Sequence, residues 1–170
     1  MGIFETERLT LRQLEVGRDE AFILTLLNTE GFLRFIGDRG VRDLDGAGDY
    51  IRNGPGKSYV ENGFGLWLVE LRSTGEPIGL CGLVRREGLD HPDIGYAFLP
   101  GHGGQGFAVE AAAGTLAHGR GKLGLWTLCA VTTPDNAASR RVLEKIGLVY
   151  QGLIVLPGRD DDSTYYLTAD

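Results

Sequence analysis

The sequence predicts one α+β domain, a mixed and mostly antiparallel sheet flanked by helices. Three observations predict it. Apolar runs at residues 64–72, 78–86 and 93–99 are joined by the short turns STGEP and EGLDHP, which suits an antiparallel meander. A helix at 106–122 then leads to a strand at 125–131, a crossover long enough to set strands 93–99 and 125–131 parallel. A chain of 170 residues without repeat or linker suits a single domain over 1–170 with a sizeable core.

Taken in order, RLTLRQL (8–14) alternates apolar and polar residues, as a half-buried strand does. DEAFILTLLN follows, with Phe22, Ile23, Leu26 and Leu27 at helical spacing. Asp19 and Glu20 fall in its first turn, where negative charge suits the helix dipole. Residues 37–63 are rich in glycine and charge, and a short helix is expected around 45–52. In the helix at 106–122, Ala108, Ala111, Ala112, Thr115 and Leu116 share one face. Residues that small let a helix pack very close to a sheet. PDNAASRRVLEKIG (134–147) has proline at its start and a glycine stop at Gly147. LVYQGLIVL and STYYLTA close the chain as strands around a turn at 157–162. The expected order is β, α, α, β, β, β, α, β, α, β, β.

Composition narrows the function classes. There are 17 basic and 23 acidic residues, a net charge of −6, which speaks against a general nucleic-acid-binding surface. Cys81 and Cys129 each lie in an apolar run and read as reduced core residues, so neither a disulfide nor a metal site is expected. No apolar stretch approaches membrane length, and the start MGIFETERLTLRQL lacks a signal core. A cytoplasmic protein, monomer or homodimer, with no membrane partner is expected.

The segment GHGGQGFAVEAA places four glycines in six positions directly before a helix. Gly104, Gln105, Gly106, Phe107 and Ala108 would present a run of backbone N–H groups at the helix start, where the dipole favours an anion. A plain turn needs one glycine, not four. Gly101, Gly103 and Gly106 also match G-x-G-x-x-G, but no Asp or Glu lies between Glu110 and Asp135 to hold a ribose. That weakens a nicotinamide-dependent oxidoreductase. GPGKS (54–58) lacks the first glycine of a phosphate loop, since Ile51 stands there, and reads as a surface turn.

DIGYAFLPGHGGQGFAVEAA followed by TPDNAASRRVLEKIGL resembles the GNAT N-acetyltransferase superfamily, and within it the RimJ/RimL-like ribosomal-protein acetyltransferase branch. The matching positions are Asp93-Ile94-Gly95-Tyr96, Gly104 to Ala111, and Asn136, Ser139, Glu144, Lys145 and Gly147. ETERLTLRQL and TGEPIGLCGL are similar to the family's opening strand and central hairpin, so the resemblance spans nearly the whole chain. It implies a GNAT-like fold with a splayed parallel strand pair at the site of acetyl-coenzyme A. The glycine loop would hold the pyrophosphate. The pantetheine arm would lie between the two strands and pair with backbone near Phe98 and Leu99. Asn136 and Ser139 would reach the pantetheine and the sulfur; a helix cap is the other reading of Asn136. Two positions depart from the family pattern. Gly103 replaces a common Arg or Gln, and Leu143 stands where many members carry a proton-donating tyrosine, which leaves Ser139 as the candidate donor.

The implied reaction is direct attack of a primary amine, a protein N-terminus or a small amine, on the thioester carbonyl. A backbone N–H of strand 93–99 would polarise that carbonyl. Asp93, Glu30, His91 and His102 are the candidate acceptors for the ammonium proton, with Asp93 first because it begins the strand beside the cofactor. Glu110 reads as structural support for the loop. The alternative reading is an acyl-coenzyme A-binding module of the same fold with little turnover, which Leu143 favours.

Overall fold

The computed structural model describes residues 2–169. Its elements run β1 (Gly2–Glu5), β2 (Leu9–Arg12), α1 (Glu20–Leu27), α2 (Glu30–Phe35), α3 (Leu44–Ile51), a π-helical turn (Arg52–Gly56), α4 (Lys57–Asn62), β3 (Leu66–Leu71), β4 (Pro77–Val84), β5 (Asp93–Phe98), α5 (Phe107–Gly121), β6 (Cys129–Thr132), α6 (Ala137–Lys145), β7 (Leu148–Ile154) and β8 (Ser163–Thr168). The eight strands form one sheet in the order β1-β2-β3-β4-β5-β6-β8-β7. Every neighbouring pair is antiparallel except β5 and β6, which are parallel.

The two-residue period of the strands sorts the core into two layers. Trp67 and Val69 pack with Ala111 and Ala112 of α5, whereas Leu68 and Leu80 pack with Ile23, Leu26 and Ile51 of α1 and α3. The small-residue face of α5 sits as close as its composition allows. Ala111, Ala112 and Thr115 are fully buried. A Cβ added at Gly114 would meet the Phe4 ring at 2.7 Å.

Several features differ from the sequence expectations for tertiary reasons, α2 and α4 among them as helices beyond the expected order. β1 exists because it pairs with β2 at the sheet edge. The strand expected at 125–131 starts only at Cys129; before it, the Leu125 N–H bonds Gly119 O at 2.9 Å, over the end of α5. GPGKS is not a surface turn. Pro55, which lacks an N–H, is buried inside the π turn, and Lys57 opens α4 and pairs with Glu61 at 3.7 Å. Asp19 stands at the start of α1 as expected, but its side chain makes no cap bond and is turned elsewhere. Its buried carboxylate takes two hydrogen bonds from Arg12, each at 2.8 Å, and one from the Glu15 N–H at 2.7 Å. Burial pushes the Asp19 pKa up, but these donors outweigh it and hold it below the usual range.

Candidate active site

The parallel strands are a fork. They share one register pair, Asp93 with Cys129, closed by the Cys129 N–H on Pro92 O at 2.9 Å. Beyond it they diverge. The register of β5 on β4 decides which backbone groups face the gap. Leu99 N–H bonds Ile78 O at 2.9 Å, and residue pairs sum to the same register down to Asp93 with Val84. Odd-numbered residues therefore bond β4, and the N–H and C=O groups of Tyr96 and Phe98 turn to the open side. Of the two residues expected to pair there, Phe98 offers its backbone to the gap and Leu99 does not.

A cavity of about 850 Å³ fills the fork; Asp93, Tyr96, Phe98, Ala108, Asn136 and Ser139 are among its lining residues. The other loop residues lie just before Ala108 in the chain. Gly104 and Gly106 hold φ of +75° and +80°, a conformation that L side chains rarely adopt. Among the described residues, the backbone N–H groups of Gly104, Gln105, Gly106, Phe107 and Ala108 find no acceptor; the first amide of the segment to do so is Glu110, on Gly106 O at 3.0 Å. A turn of unpaired amides at a helix start fits a phosphate. The carboxylate of Glu110 is tied to the Thr6 hydroxyl at 2.5 Å, the Arg8 N–H at 2.9 Å and Arg8 Nε at 2.7 Å. It clamps α5 to the β1–β2 connection. The Arg8 guanidinium also lies 4.3 Å from the centre of the Phe107 ring.

Asp93 is buried, 2% exposed. Arg86 Nε and a terminal Arg86 nitrogen both approach its Oδ2 at 3.1 Å, and its Oδ1 has no hydrogen-bond partner. Burial pushes this carboxyl up to about 6, against the opposing pull of Arg86 and, more weakly, of the Val131 backbone N–H that faces it across the fork. Of the other candidate acceptors, Glu30 begins α2, the His91 carbonyl takes the Cys129 thiol at 3.3 Å, and His102 tilts against Phe107 at 6.3 Å. None of those three lines the cavity, and Asp93 does.

Asn136 caps α6, its Oδ1 accepting the Ser139 N–H at 3.2 Å, and it lines the cavity as well. Ser139 Oγ lies 2.8 Å from the Tyr96 hydroxyl, which also donates to Ser139 O at 3.0 Å. Burial raises the Tyr96 pKa, so its phenol stays protonated at neutral pH. Leu143 is buried beneath them, 1% exposed. Tyr96 and Arg86 carry no mark of these roles in the sequence. Tyr96 stands in the quoted DIGY run, but only the tertiary fold brings its hydroxyl to Ser139 of α6. Both cysteines are free and buried.

A forked parallel pair beside a cradle of free amides defines an N-acetyltransferase. The chain matches the acetyltransferase (GNAT) domain over residues 8–149 and belongs to that family. It is similar to the uncharacterized protein YkkB of Bacillus subtilis (strain 168), 34% identical over 152 residues that cover 88% of this chain and 86% of that protein. The uncharacterized N-acetyltransferase YoaA of the same organism is 31% identical over 153 residues, 89% of this chain and 85% of that one. Among solved structures, the acetyltransferase from Agrobacterium tumefaciens str. C58 matches with a TM-score of 0.80 at 26% identity, covering 98% of this chain and 94% of its own. Acetyl transfer to amines is general to the family, and acetyl-coenzyme A is its usual acetyl source. Among the described residues, no helix is long and apolar enough to cross a membrane.

Proposed function

We propose that this chain transfers the acetyl group of acetyl-coenzyme A to a primary amine by direct attack, in the cytoplasm. The observation that carries the reading is the fork, with the Tyr96 and Phe98 amides facing it from one side and Ser139 from the other. The free amides of residues 104–108 hold the pyrophosphate, and the Phe98 backbone pairs with the pantetheine arm. A β5 N–H polarises the thioester carbonyl.

The amine nitrogen attacks the carbonyl carbon, a C–N bond forms, and the C–S bond breaks. The proton shed by nitrogen passes to Asp93 Oδ1, the carboxylate oxygen left free by Arg86, directly or through a water. The sulfur leaves as thiolate, which the Ser139 hydroxyl stabilises and protonates. Tyr96 stands behind Ser139; its single proton swings from Ser139 O to Ser139 Oγ to replace the one lost, and water reprotonates the phenol, doing from β5 what Leu143 cannot do from α6.

The test is release of free thiol from acetyl-coenzyme A over a panel of amines and peptides, beside calorimetric titration with coenzyme A. Binding together with amine-dependent thiol release is the expected result. Binding without release across the panel makes the protein an acyl-coenzyme A-binding module.

A further inference from the structure

The end of the cavity away from the loop carries cations without partners. A smaller cavity of about 70 Å³ adjoins the main one and shares Arg39, Arg86 and Thr133 with it; Arg159 and Ser163 complete its wall. Room of this size takes a group as large as a carboxylate. Arg86 is engaged by Asp93. Among the described residues, Arg39 and Arg159 have no ion pair and no side-chain hydrogen bond. Other exposed arginines of the same layer do have one: Arg34 with Asp135, Arg42 with Asp38, and Arg52 with Asp49. Thr133 adds an independent observation. Its Oγ1 is buried and has no hydrogen-bond partner, a costly arrangement unless something else supplies one.

We infer that the amine acceptor is itself anionic: a carboxylate a few bonds from the amine is held by Arg39, Arg159 and Thr133 Oγ1 while the amine faces Asp93. The inference rests on the transferase reading above. The guanidinium fork matches a planar carboxylate and keeps its charge at any working pH. The chain is acidic overall, at −6, so its general field does not gather anions, and the selection is local. The same arginines reject a polyamine, whose second ammonium would face Arg39, Arg86 and Arg159. They also favour the neutral form of the incoming amine, which is the form that attacks. The carboxylate is either that of a free amino acid or an acidic side chain at a peptide N-terminus.

Matched pairs decide it. Thiol release is measured with L-amino acids against their carboxamides, and with a C-terminally amidated tetrapeptide beginning with Asp against one beginning with Asn. Spermidine is the cationic control. The acid of at least one pair is expected to exceed its amide by roughly tenfold or more in kcat/KM, and which pair does so names the source. Arg39→Gln combined with Arg159→Gln is expected to bring that ratio close to one, through KM. Equal rates within both pairs, spermidine as the best acceptor, a preference that survives the double substitution, or transfer to the amides or spermidine without transfer to any acid overturns the anion site. The transferase reading fails on a different result, no thiol release with any acid, amide or polyamine, or no heat on titration with acetyl-coenzyme A.

Discussion

The two ends of the cavity are built by different means. The end proposed for the coenzyme is made of main chain: free amides in the glycine loop and the outward edge of β5. The end proposed for the acceptor is made of side chains brought from α2, from the segment after it, and from the β7–β8 connection, among them Phe35, Arg39 and Arg159. Backbone recognises what every member of a family shares, because any sequence that holds the conformation supplies the same N–H groups. Side chains from separate segments recognise what differs from one member to another. Asp93 lies where the two ends meet.

The largest effect is expected at that meeting point. Asp93→Asn keeps the size of the group and removes its basicity, and should lower turnover by about 10²- to 10⁴-fold at neutral pH. The parent's rate should fall as pH drops below about 6, where Asp93 takes up its proton, and the variant should lack that step. Stability should move the other way. A carboxyl whose folded pKa is raised from 3.8 to about 6 contributes fully below its unfolded pKa, and loses that contribution as pH rises through 6. Asp93→Asn should therefore melt higher than the parent above pH 6, by up to about 3 kcal/mol, with the gap closing towards pH 4. Thermal melts at three pH values check it. A variant both inactive and less stable at pH 8 would make Asp93 structural.

Ser139→Ala should lower turnover by roughly 10- to 1,000-fold with little change in coenzyme A affinity. Tyr96→Phe in the same background should add little, because the two hydroxyls form one chain. Additive losses in kcat would break the relay.

Gly106→Val tests the coenzyme end alone. Valine is strained at φ of +80° and pulls the loop amides out of line. Losing charge-assisted bonds worth about 1.5–3 kcal/mol weakens coenzyme A binding roughly 10- to 150-fold. The acceptor KM measured at saturating coenzyme should stay within a factor of about two, if the ends are as separate as their construction says.

The smallest effect is expected at Arg34. Its ion pair with Asp135, at 3.6 Å, joins α2 to the turn before α6, but both side chains are more than three-fifths exposed. Arg34→Ala should change stability by less than about 0.5 kcal/mol, because exposed pairs are screened by water and salt. A larger loss in a denaturant titration would show that the two ends are coupled across this bridge.

The contrast also explains what was legible beforehand. The glycine loop, α5 with its small face and the DIGY strand are contiguous in sequence, so spacing and composition reveal them. Glu110 reads correctly as support because its helix position is local, although its partners Thr6 and Arg8 are about a hundred residues away. The helical stretch at 30–35 and the wall formed by 52–62 are short, glycine-rich and weakly periodic, so tertiary packing decides them. Asp19 looks like a helix-start acid because nothing near it in sequence announces that Arg12 will be buried against it.

By itself, the sequence determined the α+β class, the crossover that makes one strand pair parallel, and the loop of amides before α5. These follow from period, length and glycine placement, which act over a few residues at a time. Tertiary structure alone decided that β5 and β6 part after a single register pair, and that Phe98 rather than Leu99 faces the gap. It alone set Arg86 on one oxygen of Asp93 and left the other free, joined the Tyr96 hydroxyl to Ser139, and drew Arg39 and Arg159 to one small cavity. The physical reason is that register, burial and charge pairing depend on groups far apart in the chain, and their energies arise only once the sheet has brought those groups together.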